Sequence, residues 1–306
     1  MQERIAIMDL GTNTFHLMVA DPGGRILHRE RQPVKIGKGG INQGVIRDDA
    51  VKRAVACMLT FRQQLDAMGV TRFRAIGTSA LRSAQNGPDV VRQIFQETGI
   101  AVEVISGEQE ALYIYYGVRK AIPLGNTPAL ILDIGGGSVE LILADNNTVH
   151  WKASLDIGAQ RMMELYQRHD PIIAEELEAL SARYAQALAP LSPVVAQWKP
   201  QTLVGSSGTF DTLSEMYCAR TGVPYQPDAP ESPLTVKAFW EIHADLITRD
   251  RAARMGLPGM IDLRVDMIVV ASALIAFLLE RYGFKEIRVS SYSLKEGVLA
   301  SLSPEK

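Results

Sequence analysis

The stretch ILDIGGGSVELILA, residues 131–144, decides the fold because the chain carries the same pattern twice. Residues 7–20 read IMDLGTNTFHLMVA, and an ungapped offset of 124 positions places Asp133 on Asp9 and Gly135 on Gly11. Each copy is an apolar run, a turn rich in Gly, Thr, Asn or Ser, and a second apolar run, as in a β-hairpin. The repeat predicts two similar domains that face each other, with a ligand in the cleft between them.

The rest of each half alternates strand patterns with helix patterns, which predicts an α/β fold. Residues 49–68 carry apolar side chains at helical spacing, and residues 88–99 begin with proline and end with glycine, as short helices do. The turn-rich PLGNTP, residues 123–128, comes just before the repeat. We therefore predict domains over residues 1–125 and 126–306. The proline-rich residues 221–233 are interpreted as a surface loop.

Composition is typical of a globular protein, with 47% apolar and 22% charged residues. A net charge of −2 gives no general attraction to nucleic acid. The strongest membrane candidate, residues 267–279, is shorter than the roughly 20 residues that a spanning helix needs. Cys57 and Cys218 lie in helical patterns and are interpreted as buried thiols. We expect a soluble, cytoplasmic protein with no nucleic-acid or membrane partner.

Three turns have the composition of a phosphate site. Backbone N–H groups and short hydroxyls suit phosphate oxygens, and a helix N-terminus after the third turn adds its positive end. One such turn alone is more often a plain hairpin, but three at related places favour phosphate binding. The candidate residues are Gly11, Thr12, Asn13 and Thr14; Gly135, Gly136, Gly137 and Ser138; and Gly205, Ser206, Ser207, Gly208 and Thr209.

Carboxylates accompany the first two turns. Asp9 and Asp133 each end an apolar strand, where they can hold a hydrated Mg²⁺ that bridges phosphates or simply cap the turn. Glu140 interrupts an apolar strand, which suits the mouth of a cleft better than a fully packed face. His16 takes the equivalent place in the first copy. Only the second copy therefore supplies a full acidic metal site.

Two further segments offer acid–base and anion-binding groups. Glu108 and Glu110 open a helix, where acidic residues commonly complement the helix dipole but can also take a proton from attacking water. The turn TSALR supplies Ser79 as a phosphate contact and Arg82, whose guanidinium suits either phosphate oxygens or a surface ion pair. The sequence has no P-loop and no G-x-S-x-G elbow.

Six ordered motifs make the sequence resemble the exopolyphosphatase/guanosine pentaphosphate phosphatase (Ppx/GppA) family. They are DLGTNTFHLMV (9–19), GTSALRSAQN (77–86), ISGEQEA (105–111), LDIGGGSVEL (132–141), VGSSGT (204–209) and SLKEGVL (293–299). The resemblance implies two ribonuclease-H-like domains of the actin/Hsp70/sugar-kinase type, hydrolysis of terminal phosphoanhydrides, and a homodimer. It also implies that Glu110 is the general base, that Asp133 and Glu140 contact metal and phosphate, and that Arg82 belongs to the site.

The chain departs from the family pattern at three places. Gln109 stands where a second glutamate is usual, Leu112 where an arginine is common, and Ser293 where GLREG has glycine. None of these changes removes the proposed base or the metal carboxylates.

The expected activity is Mg²⁺-dependent removal of the terminal phosphate of polyphosphate. A guanosine pentaphosphate (pppGpp) 5′-phosphohydrolase is the nearest alternative, followed by an ATPase or kinase with an adenosine pocket near residues 205–209, and by a phosphate or nucleotide sensor. A phosphate chain needs a line of cations, for which the sequence offers Lys35, Lys38, Arg47, Arg82, Arg119 and Lys120.

Overall fold

The computed structural model describes residues 4–302. Its first sheet has the strand order β3-β2-β1-β4-β5, with β1 to β3 antiparallel and β4 and β5 joined in parallel beside β1. This is a ribonuclease-H-like arrangement. The elements of this half are β1 (Ile5–Leu10), β2 (Phe15–Ala20), β3 (Ile26–Gln32), a 3₁₀ turn (Ile41–Gln43), α1 (Asp48–Ala67), β4 (Arg72–Gly77), α2 (Ser79–Ser83), α3 (Gly87–Thr98), β5 (Val102–Val104) and α4 (Gly107–Ala121).

The second sheet repeats the plan with one added edge strand, in the order β10-β11-β9-β6-β7-β8. The added strand β10 pairs antiparallel with β11, so the segment predicted as a loop over residues 221–233 ends in a short strand. The elements are β6 (Ala129–Ile134), β7 (Val139–Ala144), β8 (Val149–Leu155), α5 (Ala159–Tyr166), α6 (Ala174–Ala187), α7 (Leu191–Trp198), β9 (Thr202–Ser206), α8 (Gly208–Thr221), β10 (Glu231–Ser232), α9 (Val236–Thr248), α10 (Arg251–Met255), α11 (Ile268–Tyr282), β11 (Glu286–Ser290) and α12 (Leu294–Ser301).

The two hairpins of the repeat have the same register. Asp9 lies opposite His16 across β1 and β2, and Asp133 lies opposite Glu140 across β6 and β7. In each turn the amide of the glycine donates to the carbonyl three residues later, over 3.1 Å in the first and 3.0 Å in the second. The equivalence inferred from the sequence therefore extends to single hydrogen bonds.

The two halves share part of their apolar core. One buried cluster joins Ile7 of the first sheet and Ile131 of the second with residues of α4 and α12. β6 and β7 are buried along their whole length, as expected for strands covered on both faces. The predicted boundary near residue 125 falls between α4 and β6, and it stays a prediction.

Both cysteines are buried and unpaired, as predicted. The apolar stretch over residues 267–279, too short to span a membrane, makes up most of α11, and most side chains of that helix are inaccessible to solvent. Within residues 4–302, no helix combines the length and the apolar character required to cross a membrane.

Helices α4 and α12 cross with their backbones almost in contact. A Cβ atom at Gly297 would overlap the carbonyl of Tyr113, and one at Gly117 would overlap the carbonyl of Ser293. Only glycine permits this approach. Because Glu110 lies in the first turn of α4, the crossing fixes its position relative to the N-terminus of α12.

We predict that Gly297→Ala lowers the free energy of unfolding by about 1–3 kcal/mol, because the added methyl forces the two helices apart. Urea unfolding followed by circular dichroism measures this change. Gly256→Ala is the control, since Gly256 has an ordinary φ of −78° and an added Cβ would come no closer than 3.4 Å to Ala253 O. Equal stability of both variants would contradict the tight crossing.

Candidate active site

The two hairpin turns meet around a cavity of about 150 Å³, and every residue of both turns lines it. A Cβ atom at Gly136 would overlap the amide of Asn13, and one at Gly137 would lie 2.7 Å from Thr12 Oγ1 and 2.5 Å from Ser79 Oγ. The second turn can therefore pack against the first only because these positions are glycine. The structure brings together the first two predicted phosphate loops and Ser79.

The third predicted loop contributes only Ser207 and Gly208 to the cavity lining. Ser207 has φ 70° and ψ 175°, a backbone conformation that is essentially restricted to glycine. Such strain is retained where the surrounding structure fixes it, often at a ligand site. Ser207 lies at the beginning of α8, whose N-terminus carries the positive end of the helix dipole.

The other three residues of this loop lie behind the cavity. Gly205 packs against the ring of Phe210, where any Cβ would overlap it, and Thr209 is buried in the first turn of α8. Ser206 is buried and donates from Oγ to Asp133 Oδ2 over 2.5 Å. Ser206 therefore contacts a carboxylate of the site, whereas Gly205 and Thr209 contribute to packing.

The two glutamates of the SGEQEA segment, residues 106–111, differ in exposure and in whether they reach the cavity. Glu110 is 7% exposed and lines the cavity, whereas Glu108 faces solvent on the same helix. Glu110 Oε2 accepts a hydrogen bond from Arg82 Nη1 over 2.8 Å, and the same nitrogen donates to the carbonyl of Ile105. Arg82 does not line the cavity itself. It reaches the site through Glu110.

Burial and repulsion by neighbouring carboxylates raise the pKa values of Glu110, Asp9 and Glu140, which all line the cavity. Burial raises the pKa of Glu110 to about 7, with Arg82 opposing the shift and Asp133 adding to it. Burial, with Glu110 and Asp133, also raises the pKa of Asp9 to about 7. The pKa of Glu140 lies well above its ordinary value because of burial and the nearby Glu110 and Asp133. These groups ionise together only if a cation offsets their charge.

Glu140 lies deeper than the cleft mouth where the sequence placed it, at 1% exposure. Its Oε1 accepts a hydrogen bond from Ser154 Oγ over 2.7 Å. This bond, together with the cavity on one side, explains how an apolar strand accommodates a glutamate.

The carboxylates fit a hydrated Mg²⁺ better than a closed cage of protein ligands. Asp9 Oδ1 is buried without a hydrogen-bond partner, so it lacks the cation or donor that such an atom needs. Among the described residues, no group of three or more His, Cys, Asp or Glu side chains is arranged to hold a metal. Mg²⁺ is commonly bound by one or two carboxylates while its other ligands are water and phosphate. Asp9, Asp133 and Glu140 supply oxygens of the right kind.

Three cations that were not among the predicted site residues line the cavity. They are Arg31, Arg264 and Lys295. Burial acts to lower the pKa of Lys295, but Glu296 and Asp9 outweigh it and the pKa is raised. The Lys295 ammonium lies 3.4 Å from the Glu296 carboxylate. Lys295 belongs to SLKEGVL, so the motif pointed to it, whereas no local pattern marks Arg31 or Arg264.

His16, the counterpart of Glu140, also lines the cavity. Burial, followed by the charges of Lys295, Arg264 and Arg31, holds the pKa of His16 well below its ordinary value. The first copy of the repeat therefore presents a neutral imidazole where the second presents a carboxylate.

A groove of about 730 Å³ neighbours the cavity, and Arg31 lines both. Its lining includes four more cations, Lys35, Lys38, Arg47 and Arg53, and two carboxylates. Asp49 pairs with Arg53 of the groove itself, whereas Asp262 pairs with Arg251, which does not line the groove. Arg82 lies elsewhere, bound to Glu110, and the guanidinium of Arg119 lies over the ring of Tyr115 at 5.4 Å. Lys120 does not line the groove either.

A sequence model of the Ppx/GppA phosphatase family matches residues 18–306. The chain belongs to the Ppx/GppA phosphatase family. It is therefore a phosphatase, and the two-domain fold implied by its motifs is confirmed.

Solved structures and curated relatives agree with this membership. The crystal structure of an exopolyphosphatase from Cytophaga hutchinsonii is 39% identical, with a TM-score of 0.95 over 98% of this chain and 97% of that one. A Ppx/GppA family member from Aquifex aeolicus has the same fold, with a TM-score of 0.80 and 24% identity over 98% of this chain and 97% of that one. Exopolyphosphatase 2 of Mycobacterium tuberculosis is 29% identical over 98% of each chain.

We predict that the metal-free protein loses stability relative to Asp9→Asn as the pH rises. The Asp9 pKa is 3.8 ordinarily and about 7 in the folded protein, so between these values the folded state holds a proton that the unfolded state has lost. The stabilisation that comes from this proton is lost as the pH rises through 7. The free energy of unfolding therefore falls by roughly 1–3 kcal/mol between about pH 5 and pH 8. Urea unfolding in EDTA measures it.

The exposed Asp228→Asn variant is the control and should follow the wild-type pH profile. Parallel profiles for wild type and Asp9→Asn would show that Asp9 ionises normally.

Proposed function

We propose that this protein hydrolyses the terminal phosphoanhydride of inorganic polyphosphate. The observation that carries the proposal is the groove that shares Arg31 with the carboxylate-lined cavity and is lined by four more cations. A linear polyanion needs positive charge beyond the reacting phosphate, whereas a small phosphate ester does not. Relatives named exopolyphosphatase, one of them 39% identical over nearly the whole chain, support the same substrate.

In this proposal Glu110 is the general base. Its pKa of about 7 lets it take a proton from water at neutral pH, and its contact with Arg82 favours the ionised form. The water attacks the terminal phosphorus, the bond from that phosphorus to the bridging oxygen breaks, and inorganic phosphate and a chain shorter by one unit result. Arg82 acts as a positioning residue for the base.

The remaining residues bind and orient the phosphate. The turns at residues 11–14 and 135–138 surround it, and Arg31, Arg264 and Lys295 offset its charge. Asp9, Asp133 and Glu140 would hold Mg²⁺, partly through water, and the ion would supply positive charge to the phosphoryl oxygens. Positioning and charge stabilisation therefore supply most of the catalysis.

A pppGpp 5′-phosphohydrolase is the second candidate, and one feature favours it. A second cavity, of about 240 Å³, adjoins the site and shares Arg31 and Lys295 with it. Tyr225 also lines it and offers a ring on which a guanine can stack. An ATPase or kinase remains a less favoured alternative, and the homodimer stays a prediction.

Phosphate release from long-chain polyphosphate, pppGpp and ATP, each with and without Mg²⁺, tests the proposal. Polyphosphate should give the highest kcat/KM, and only with Mg²⁺. A preference for pppGpp would transfer the function to the second candidate. Release from none of the three would overturn the catalytic assignment.

We predict that Glu110→Gln lowers kcat on polyphosphate by about 10²–10⁴, the usual cost of losing a general base. Glu108→Gln is a matched control, because it makes the same change two residues away on the solvent side of α4. Steady-state phosphate release measures both variants. Nearly equal kcat values for them would eliminate Glu110 as the base.

We predict that Lys38→Glu raises KM for long polyphosphate by about tenfold while leaving KM for tripolyphosphate nearly unchanged, because only the long chain reaches the groove. Lys285→Glu makes the same charge change at the exposed beginning of β11 and should change neither value. Equal effects of Lys38→Glu on both substrates would show that the groove does not bind the chain.

A further inference from the structure

We propose that Ser293 is a positioning residue that orients Asp133 for Mg²⁺ binding. The inference rests on the proposed function, because it concerns the metal of the same site. It also concerns a position at which this chain has a serine hydroxyl and the family motif has glycine.

The evidence is the hydrogen bonding of Asp133. Its carboxylate is 6% exposed and lines the cavity at the end of β6. Ser206 Oγ and Ser293 Oγ both donate to it, and both bind the same oxygen, Oδ2. The other oxygen, Oδ1, is thereby left as the one available to a cation. Two donors on one oxygen fix the rotation of the group.

The two donors come from different parts of the fold. Ser206 ends β9, the strand next to β6, so its hydroxyl belongs to the sheet itself. Ser293 precedes α12 and approaches the carboxylate from the helix layer. With Ser206 alone, rotation of the Asp133 side chain is restrained from one side only. Ser293 supplies the second restraint.

Ser293 is itself held firmly enough to do this. Its backbone N–H donates over 3.0 Å to Oε2 of Glu296, which is buried and also pairs with Lys295 and Arg29. Its carbonyl lies against Gly117 at the crossing of α4 and α12. Neither contact uses the Ser293 hydroxyl. That hydroxyl also takes part in the capping box at the start of α12, so replacing the side chain removes the bond to Asp133 and this cap while it keeps the backbone anchors.

Ser293→Ala and Ser293→Gly both remove the hydroxyl, and we expect each to weaken Mg²⁺ binding about tenfold, since loss of a group that orients a metal ligand typically costs 10–100-fold in affinity. Ser293→Thr keeps a hydroxyl at an extended φ of −145° and should restore most of the affinity. Ser301→Ala, at the far end of the same helix, is the matched control.

The measurement is isothermal titration of Mg²⁺ into each protein in saturating inorganic phosphate, with thermal unfolding in EDTA to confirm that every variant is folded. A second readout is the Mg²⁺ concentration for half-maximal phosphate release, which should rise about tenfold in the Ala and Gly variants. Their KM for polyphosphate at saturating Mg²⁺ should stay near the wild-type value.

Mg²⁺ affinities of the Ala and Gly variants within twofold of wild type would overturn the role of Ser293 and leave the proposed function intact. If Ser293→Thr binds Mg²⁺ as weakly as the Ala and Gly variants do, the effect comes from packing, and the role of Ser293 is again overturned. A wild-type protein that binds no Mg²⁺ would instead remove the metal from the proposed function, and this inference with it.

Discussion

Repulsion among the buried carboxylates of Asp9, Glu110, Asp133 and Glu140 is the constraint on which the site depends. Each lies close enough to another to raise a pKa, and burial strengthens every such interaction. The protein distributes the compensating groups around the cluster: a guanidinium on Glu110, hydroxyls on Asp133 and Glu140, and an ammonium near Asp9. What remains uncompensated is charge of the kind that a divalent cation and a phosphate bind together.

Close backbone approach keeps these groups in place. The turn at residues 135–138 packs directly on the turn at residues 11–14, and α12 packs directly on α4, in both cases through glycines that leave no room for a side chain. Such contacts have little freedom to slide, because their van der Waals surfaces meet along the main chain. Catalytic side chains on rigid elements can hold the geometry that in-line displacement requires.

The sequence predicted the parts of the site that are encoded locally. The repeated hairpin gave Asp9, Asp133 and both turns, because strand, turn and carboxylate lie within a dozen residues of one another. It did not give Arg31 or Arg264, since nothing near them in the chain distinguishes a cavity cation from a surface one. The third loop shows a related limit: glycine and serine look the same whether they line a cavity, as Gly208 does, or pack against a ring, as Gly205 does.

The packing of α12 on α4 also bears on the order in which the molecule is made. The two helices are neighbours in space, but in the described chain α4 is the last helix of the first half and α12 is the last helix of the second half. During synthesis the first sheet and α4, which packs on it, can form early, whereas the helix that crosses α4 is absent until residues 294–301 have emerged. The face of α4 that receives α12 stays uncovered until then. The nascent first half has its hairpin and its turn, but the last helix must be made before Glu110 has a fixed position relative to the N-terminus of α12.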